Sequence, residues 1–499
     1  MNLRSAFFTL AAVCVVVAAP SPKPDRDEGM RHRGGRNTHS RTGKAKPSRS
    51  VDVDSASSSA SMTSSSSAAS ASTLSAPTLS GTFTGSSNRT DGVSESLTSN
   101  SSGSNLASNG ADVGVVGTLY FLTNVPDSNN IVTATIGFDG NITYAGAIYA
   151  GGSGTHGNDG GAFAADVTFS NNLIIVHREK QLLATVNTQS NTVVLFRIDP
   201  NNPTDLKMLG EPVPSQGDYP NSLTFNNAGD RLCVVNAGTV GNFICYDVND
   251  SGLSPDMDSI RPIPNYNQTT PPTGPSQTAS VITFTPDEKD IVVAVKGTEN
   301  PPSPGFLVAW PLEDGGRFAS DPTVIQKAGP GNLPFSLTPV RGRNAFVAAD
   351  LSSAVDVFDL SGDISDSSGS NGTNSRSIDG ELMLCWSTYS PTLDRYYLSA
   401  PPSSLVVEVT VDKDLQTSVV ANHVIPDNVL DTDLAIATID GKDFLFTLLT
   451  NAPGLASLSL DGPGRTTFVG SADFSRFLAG DGIPFRRNFA QGLAVFVKP

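Results

Sequence analysis

Residues 113–499 are expected to form one all-β domain, a seven-bladed β-propeller closed by its C-terminal strand and preceded by a disordered N-terminal segment. Three observations predict this. A strand–turn–strand unit recurs seven times at a spacing of about 55 residues. No helical period persists for three turns in those residues. One apolar strand, Gln491 to Val497, is left over at the C-terminus.

The chain begins with Arg4 and an apolar run, Ala6 to Ala19, that is too short to cross a bilayer and ends in the small residues Val17-Ala18-Ala19. That pattern reads as a signal peptide over residues 1–19, so a soluble protein, secreted or held in a cell wall, is expected. Residues 20–50 are basic and rich in Gly, Pro and Arg; residues 51–110 hold 22 Ser and 7 Thr. Such a composition buries too little apolar surface to offset its ordering entropy. Residues 20–112 are therefore expected to be disordered, as an O-glycosylated stalk or as a plain linker. N-glycosylation acceptors stand at Asn88, Asn100, Asn141, Asn249, Asn267 and Asn371.

From residue 113 short β-branched and aromatic runs alternate with Gly, Asn, Asp and Pro clusters. Leu182 to Asp199 shows the repeating unit as LLATVNTQSNTVVLFRID, and Arg231 to Asp247 as RLCVVNAGTVGNFICYD. Leu119 to Asp139 and Asn344 to Asp359 repeat it; weaker copies run from Asp290 to Leu312, Arg395 to Asp412 and Asp443 to Asp461. Sheets arranged around an axis leave only short, protected edges, whereas a β-sandwich of this length is the competing architecture. The first unit has no inner strand before Leu119, so the leftover C-terminal strand is expected to complete it.

Of the cysteines, Cys14 lies in the leader. Cys233 and Cys245 are symmetric about Thr239 and would face each other in an antiparallel hairpin, near enough to bridge in an oxidising compartment; two unpaired thiols are the alternative. Cys385 reads as a buried thiol. The net charge is −16, and residues 113–499 alone carry −19, which argues against nucleic acid or anionic membrane as a partner. No metal-ligand spacing occurs, no helix follows Gly151-Gly152-Ser153-Gly154 to make a phosphate cradle, and no nucleophile elbow surrounds Ser153. No metal and no cofactor are expected, and nothing in the sequence calls for more than a monomer.

The repeats resemble the lactonase-type seven-bladed propellers, the group of 3-carboxymuconate cyclase and one class of 6-phosphogluconolactonase. Tyr120-Phe121-Leu122-Thr123-Asn124 is similar to that group's blade signature, and Val186-Asn187 and Val234-Val235-Asn236-Ala237-Gly238 repeat it. The segment Gly151 to Gly157 and the terminal Gln491 to Val495 are similar to motifs of its secreted fungal members. The resemblance spans residues 113–499 and implies a cofactor-free hydrolase or cyclase acting on a small anionic lactone or muconate-like acid. Two positions depart from it: Asn221 follows Pro220 where the group has His, and Asn236 stands where it has Asp, so a charged base does not carry over.

In such a propeller the connections between blades and the second-to-third-strand turns share one face of the ring. Arg178, Lys180, Arg231, Lys289, Arg343 and Arg395 fall at first-to-second-strand turns and so belong to the opposite face. The first face is expected to hold His156 and Asp159, the catalytic candidates, since an imidazole titrates near neutral pH. Lys296, Arg486, Arg487, Asn187, Asn236 and Asp350 are the candidates for holding substrate, with Glu299 and Asp433 in loops nearby. The bland alternatives are a histidine bonded to backbone in a Gly-rich loop, and asparagines satisfying turn amides. A non-catalytic propeller that binds a cell-wall component is the competing function.

Overall fold

The computed structural model describes residues 114–160, 164–326, 329–362, 373–380, 383–426 and 430–499. The leader, the Ser/Thr-rich segment and the acceptors Asn88, Asn100 and Asn371 lie outside the described residues.

Runs of six to eight β-formers between Gly, Asn and Asp turns can make only short antiparallel strands. They assemble into seven sheets of four or five strands, the blades. In the second to seventh blades the innermost strands are Ile174–His177, Pro220–Phe225, Ala279–Phe284, Thr338–Pro339, Ser387–Ser390 and Asp431–Ile439. The first blade has no preceding strand for that place. Gln491–Val497 fills it, pairing antiparallel with Val115–Leu122 from Gly117↔Val497 to Leu122↔Gln491. The ring is closed by its own tail, as the repeats predict, and the sandwich is excluded.

Burial follows position in the blade. Second strands such as Leu182–Asn187, Asp290–Val295 and Ala345–Asp350 are buried at every residue, because neighbouring blades cover both sheet faces. Outermost strands such as Ile142–Tyr149 alternate between partly buried and exposed residues. No blade could shield its two apolar faces alone, so the hydrophobic driving force acts on the ring as a whole. Asn141, Asn249 and Asn267 are exposed, with room for a sugar.

Cys233 and Cys245 lie opposite each other in the third blade's central hairpin, and their sulfurs are bonded. The bridge closes a loop of 12 residues within the buried core. Cross-linking a loop of that size is worth roughly 3 kcal/mol through the unfolded chain. Replacing both by Ala, or adding reductant, is expected to lower the unfolding free energy by about 2–3 kcal/mol, read from denaturant titration. Equal midpoints with and without reductant would contradict that.

Candidate functional site

The connection from the first to the second blade contains Asp166-Val167-Thr168-Phe169-Ser170-Asn171, and this stretch is bonded to three other blades. Thr168 N donates to Gln491 Oε1 of the first blade (2.9 Å), while Gln491 Nε2 donates to Asp166 Oδ1 (3.0 Å) and Ser170 O (2.9 Å). Ser170 Oγ donates to Asn221 O of the third blade (2.7 Å). Asn171 N donates to Ser280 O of the fourth (2.8 Å), and Lys296 Nζ of that blade donates to Phe169 O (2.6 Å). The segment is thus tied to blades in separate sectors of the ring. Phe169 has φ +56°, and its ring seats so closely on Gly157 and Gly274 that neither has room for a Cβ.

Lys296, Asp431, Asp433 and Tyr219 here are buried, and Asp166 is half-buried. Burial pushes Asp166 up to about 6, against the opposing pull of the Lys296 ammonium, the Gln491 hydrogen bond and His156. Burial likewise brings Lys296 down to about 7, with Asp166 resisting. The Lys296 ammonium sits 4.9 Å from the Phe335 ring centroid, and only 1% of the residue is exposed. In the inner strand of the seventh blade, Asp433 is raised to about 8, chiefly by burial and further by Asp166, although the Gly492 amide donates to it. Asp431, fully buried with both oxygens unpartnered, is raised well above the carboxylate range by burial. Tyr219 Oη lies 3.1 Å from Thr155 O and 3.2 Å from Val167 O; burial and the charge of Asp166 raise it. The result is a low-dielectric cluster of one base, one ammonium and protonated carboxyls, a set that can move protons near neutral pH.

The residues singled out from sequence are placed as follows. His156 is buried beside the cluster, its Nδ1 2.7 Å from Gly157 O and its Nε2 3.0 Å from Ala164 O. Asp159 accepts from Ala164 N (2.7 Å) and stands 3.9 Å from His156 Nε2, so the pair braces the connecting loop. Lys296 is in the cluster. Asp350 accepts from the Leu333 and Ser352 amides and shapes a turn. Asn187 donates to Ala150 O and Thr192 Oγ1 and accepts from Asn129; Asn236 donates to Ser215 O and Asn242 Oδ1. These amides fasten strand ends. Arg486 and Arg487 are exposed, Arg486 pairing with Asp127 at 3.1 Å, and the structure does not bring them to Lys296.

Asp433, expected in a loop, is in a strand. Asp431-Thr432-Asp433 has low β-propensity, yet the segment pairs with its neighbour from Asp431↔Leu449 to Ile439↔Lys442 with one irregularity before Leu434. Asp166 and Gln491 carry most of the geometry and were not candidates. Two carboxylates at alternate positions opening an apolar strand could have signalled Asp433; nothing in Ala164-Ala165-Asp166-Val167 marks Asp166. Asn221, in place of the resembling group's His, donates to Ala279 O (2.9 Å), and its buried Oδ1 has no partner. Among the described residues no group of three or more His, Cys, Asp or Glu is arranged to hold a metal.

No family model matches the sequence, and no curated protein does. Solved structures share the fold. A protein described as a candidate 6-phosphogluconolactonase from Bacteroides fragilis superposes with a TM-score of 0.54 at 13% identity, over 76% of this chain and 98% of the other. The periplasmic gluconolactonase of Pseudomonas aeruginosa gives 0.52 at 15% identity, over 77% and 100%. A protein from Lactobacillus plantarum gives 0.54 at 12%, over 77% and 99%. At these identities the likeness is one of fold.

Proposed function

We propose that this chain is an exported, cofactor-free, lactonase-type propeller that opens, or in reverse closes, the ring of a small lactone at its channel mouth. The observation that carries this reading is the meeting of Asp166, Lys296 and Asp433, from three distant parts of the chain, in one cluster where Lys296 and Asp433 are buried and Asp166 half-buried, with ionisations moved toward neutrality. The fold shared with proteins named for lactone hydrolysis supports it by analogy. Export is supported by the apolar leader and the bonded Cys233–Cys245 pair.

In the hydrolytic direction Asp166 takes a proton from water as the water oxygen attacks the lactone carbonyl carbon. The Lys296 ammonium stabilises the oxyanion that forms. Phe169 O accepts from one of its three N–H donors. Collapse breaks the ring C–O bond, and Asp433, held protonated by burial, gives its proton to the leaving alkoxide. The product is a hydroxy acid.

The base must be ionised and the ammonium and acid protonated. The ratio kcat/KM should therefore rise through about pH 6 and fall between about pH 7 and 8. A pH-stat assay of lactone opening on the secreted protein checks this; a rate no greater than that of buffer at every pH would remove the reading.

One observation favours a second reading, a non-catalytic propeller docking to a cell-wall component. His156, Asn187 and Asn236 spend hydrogen-bonding capacity on the protein's own backbone. That reading predicts polysaccharide binding with no turnover of any lactone.

A further inference from the structure

Resting on the lactone reading, we infer that the mouth selects an uncharged, hydroxylated lactone and discriminates against the same ring carrying a phosphate or carboxylate. The sequence suggested the opposite, with Lys296, Arg486 and Arg487 holding an anion. The structure distributes those charges differently. Lys296 is the only buried Lys or Arg among the described residues, and its ammonium already faces Asp166, Phe169 O and the Phe335 ring. Both arginines are out on the exposed rim, and Arg486 is engaged by Asp127.

Acids, by contrast, crowd the mouth face. Asp159 braces the connecting loop, Asp350 and Glu299 meet through Ser352, and Asp166 lies at the centre. A phosphate dianion brought here would add two negative charges to a site whose one cation is already matched, in a medium where like charges are poorly screened. Residues 113–499 add a background of −19.

The unpartnered polar atoms point the same way. Asn221 Oδ1 is a buried acceptor without a donor; its own amide is committed to Ala279 O. It belongs to the innermost strand of the third blade, where Ser170 of the mouth segment also bonds. A hydroxyl supplies the missing donor, whereas an ionised phosphate or carboxylate offers only acceptors. A ring hydroxyl facing Asn221 therefore satisfies that acceptor, and a phosphate or carboxylate at the same ring position does not.

The test compares the intact secreted protein on an unsubstituted aldonolactone and on its phosphorylated counterpart, at low and high salt. Preference for the neutral ring by at least about 100-fold in kcat/KM, changing little between low and high salt because the opposing charges are buried, is the expected result. Equal or better turnover of the phosphorylated ring would overturn this inference and leave the lactone reading standing. A preference that collapses at high salt would place the discrimination on exposed surface charge and overturn the role given to the buried site. No turnover of either ring would take down the lactone reading itself, and this inference with it.

Discussion

Asp166→Asn is expected to lower kcat/KM for lactone opening by about 10²- to 10⁴-fold, the usual worth of a positioned general base, while the fold survives. The substitution keeps shape and hydrogen bonding, because an amide oxygen still accepts from Gln491 Nε2. What it removes is the charge. Asp166 is the group that holds the Lys296 ammonium up against burial, so without it Lys296 loses its proton at lower pH. The acid limb of the pH profile should vanish and the alkaline limb should move to lower pH. A merely structural role for Asp166 would leave both limbs in place. Full activity with an unchanged profile would end the proposed mechanism.

Deleting Gln491 to Pro499 is expected to abolish the cooperative thermal transition of the domain. The strand supplies the inner edge of the first blade, buries Ala494 and Phe496, and carries the side chain that ties the mouth segment down. Without it the backbone of Val115–Leu122 becomes an open edge and the ring loses its seam. A milder version is Gln491→Leu, which strands the Thr168 amide and the Ser170 carbonyl, takes one hydrogen bond from Asp166 and should cost about 3–5 kcal/mol. Circular dichroism melts read both changes. A truncated chain that melts at the intact protein's temperature would mean that the ring does not depend on its tail.

The seven units were legible because each carries its own short β-forming runs and turn residues, as in Leu182 to Asp199, and because such information is local. Closure was legible for a related reason: a missing inner strand before Leu119 and a spare one at Gln491 are complementary defects. The hairpin that brings Cys233 opposite Cys245 is likewise a matter of short-range register. The candidate site was legible only in part. Lys296 was found by its position after a second strand, and His156 by its Gly-rich loop, which the structure places beside the cluster.

The sequence by itself determined the number of blades, the seam between the two chain ends and the sorting of turns onto two faces, since all three follow from repeats and spacing. Only the tertiary structure decided that Asp166, Lys296, Asp433 and Gln491 meet, and that Arg486, Arg487, Asn187, Asn236 and Asp350 stand apart from them. The reason is physical. What gives those four groups their chemistry is the exclusion of water and the approach of charges more than a hundred residues apart, which local sequence pattern does not encode.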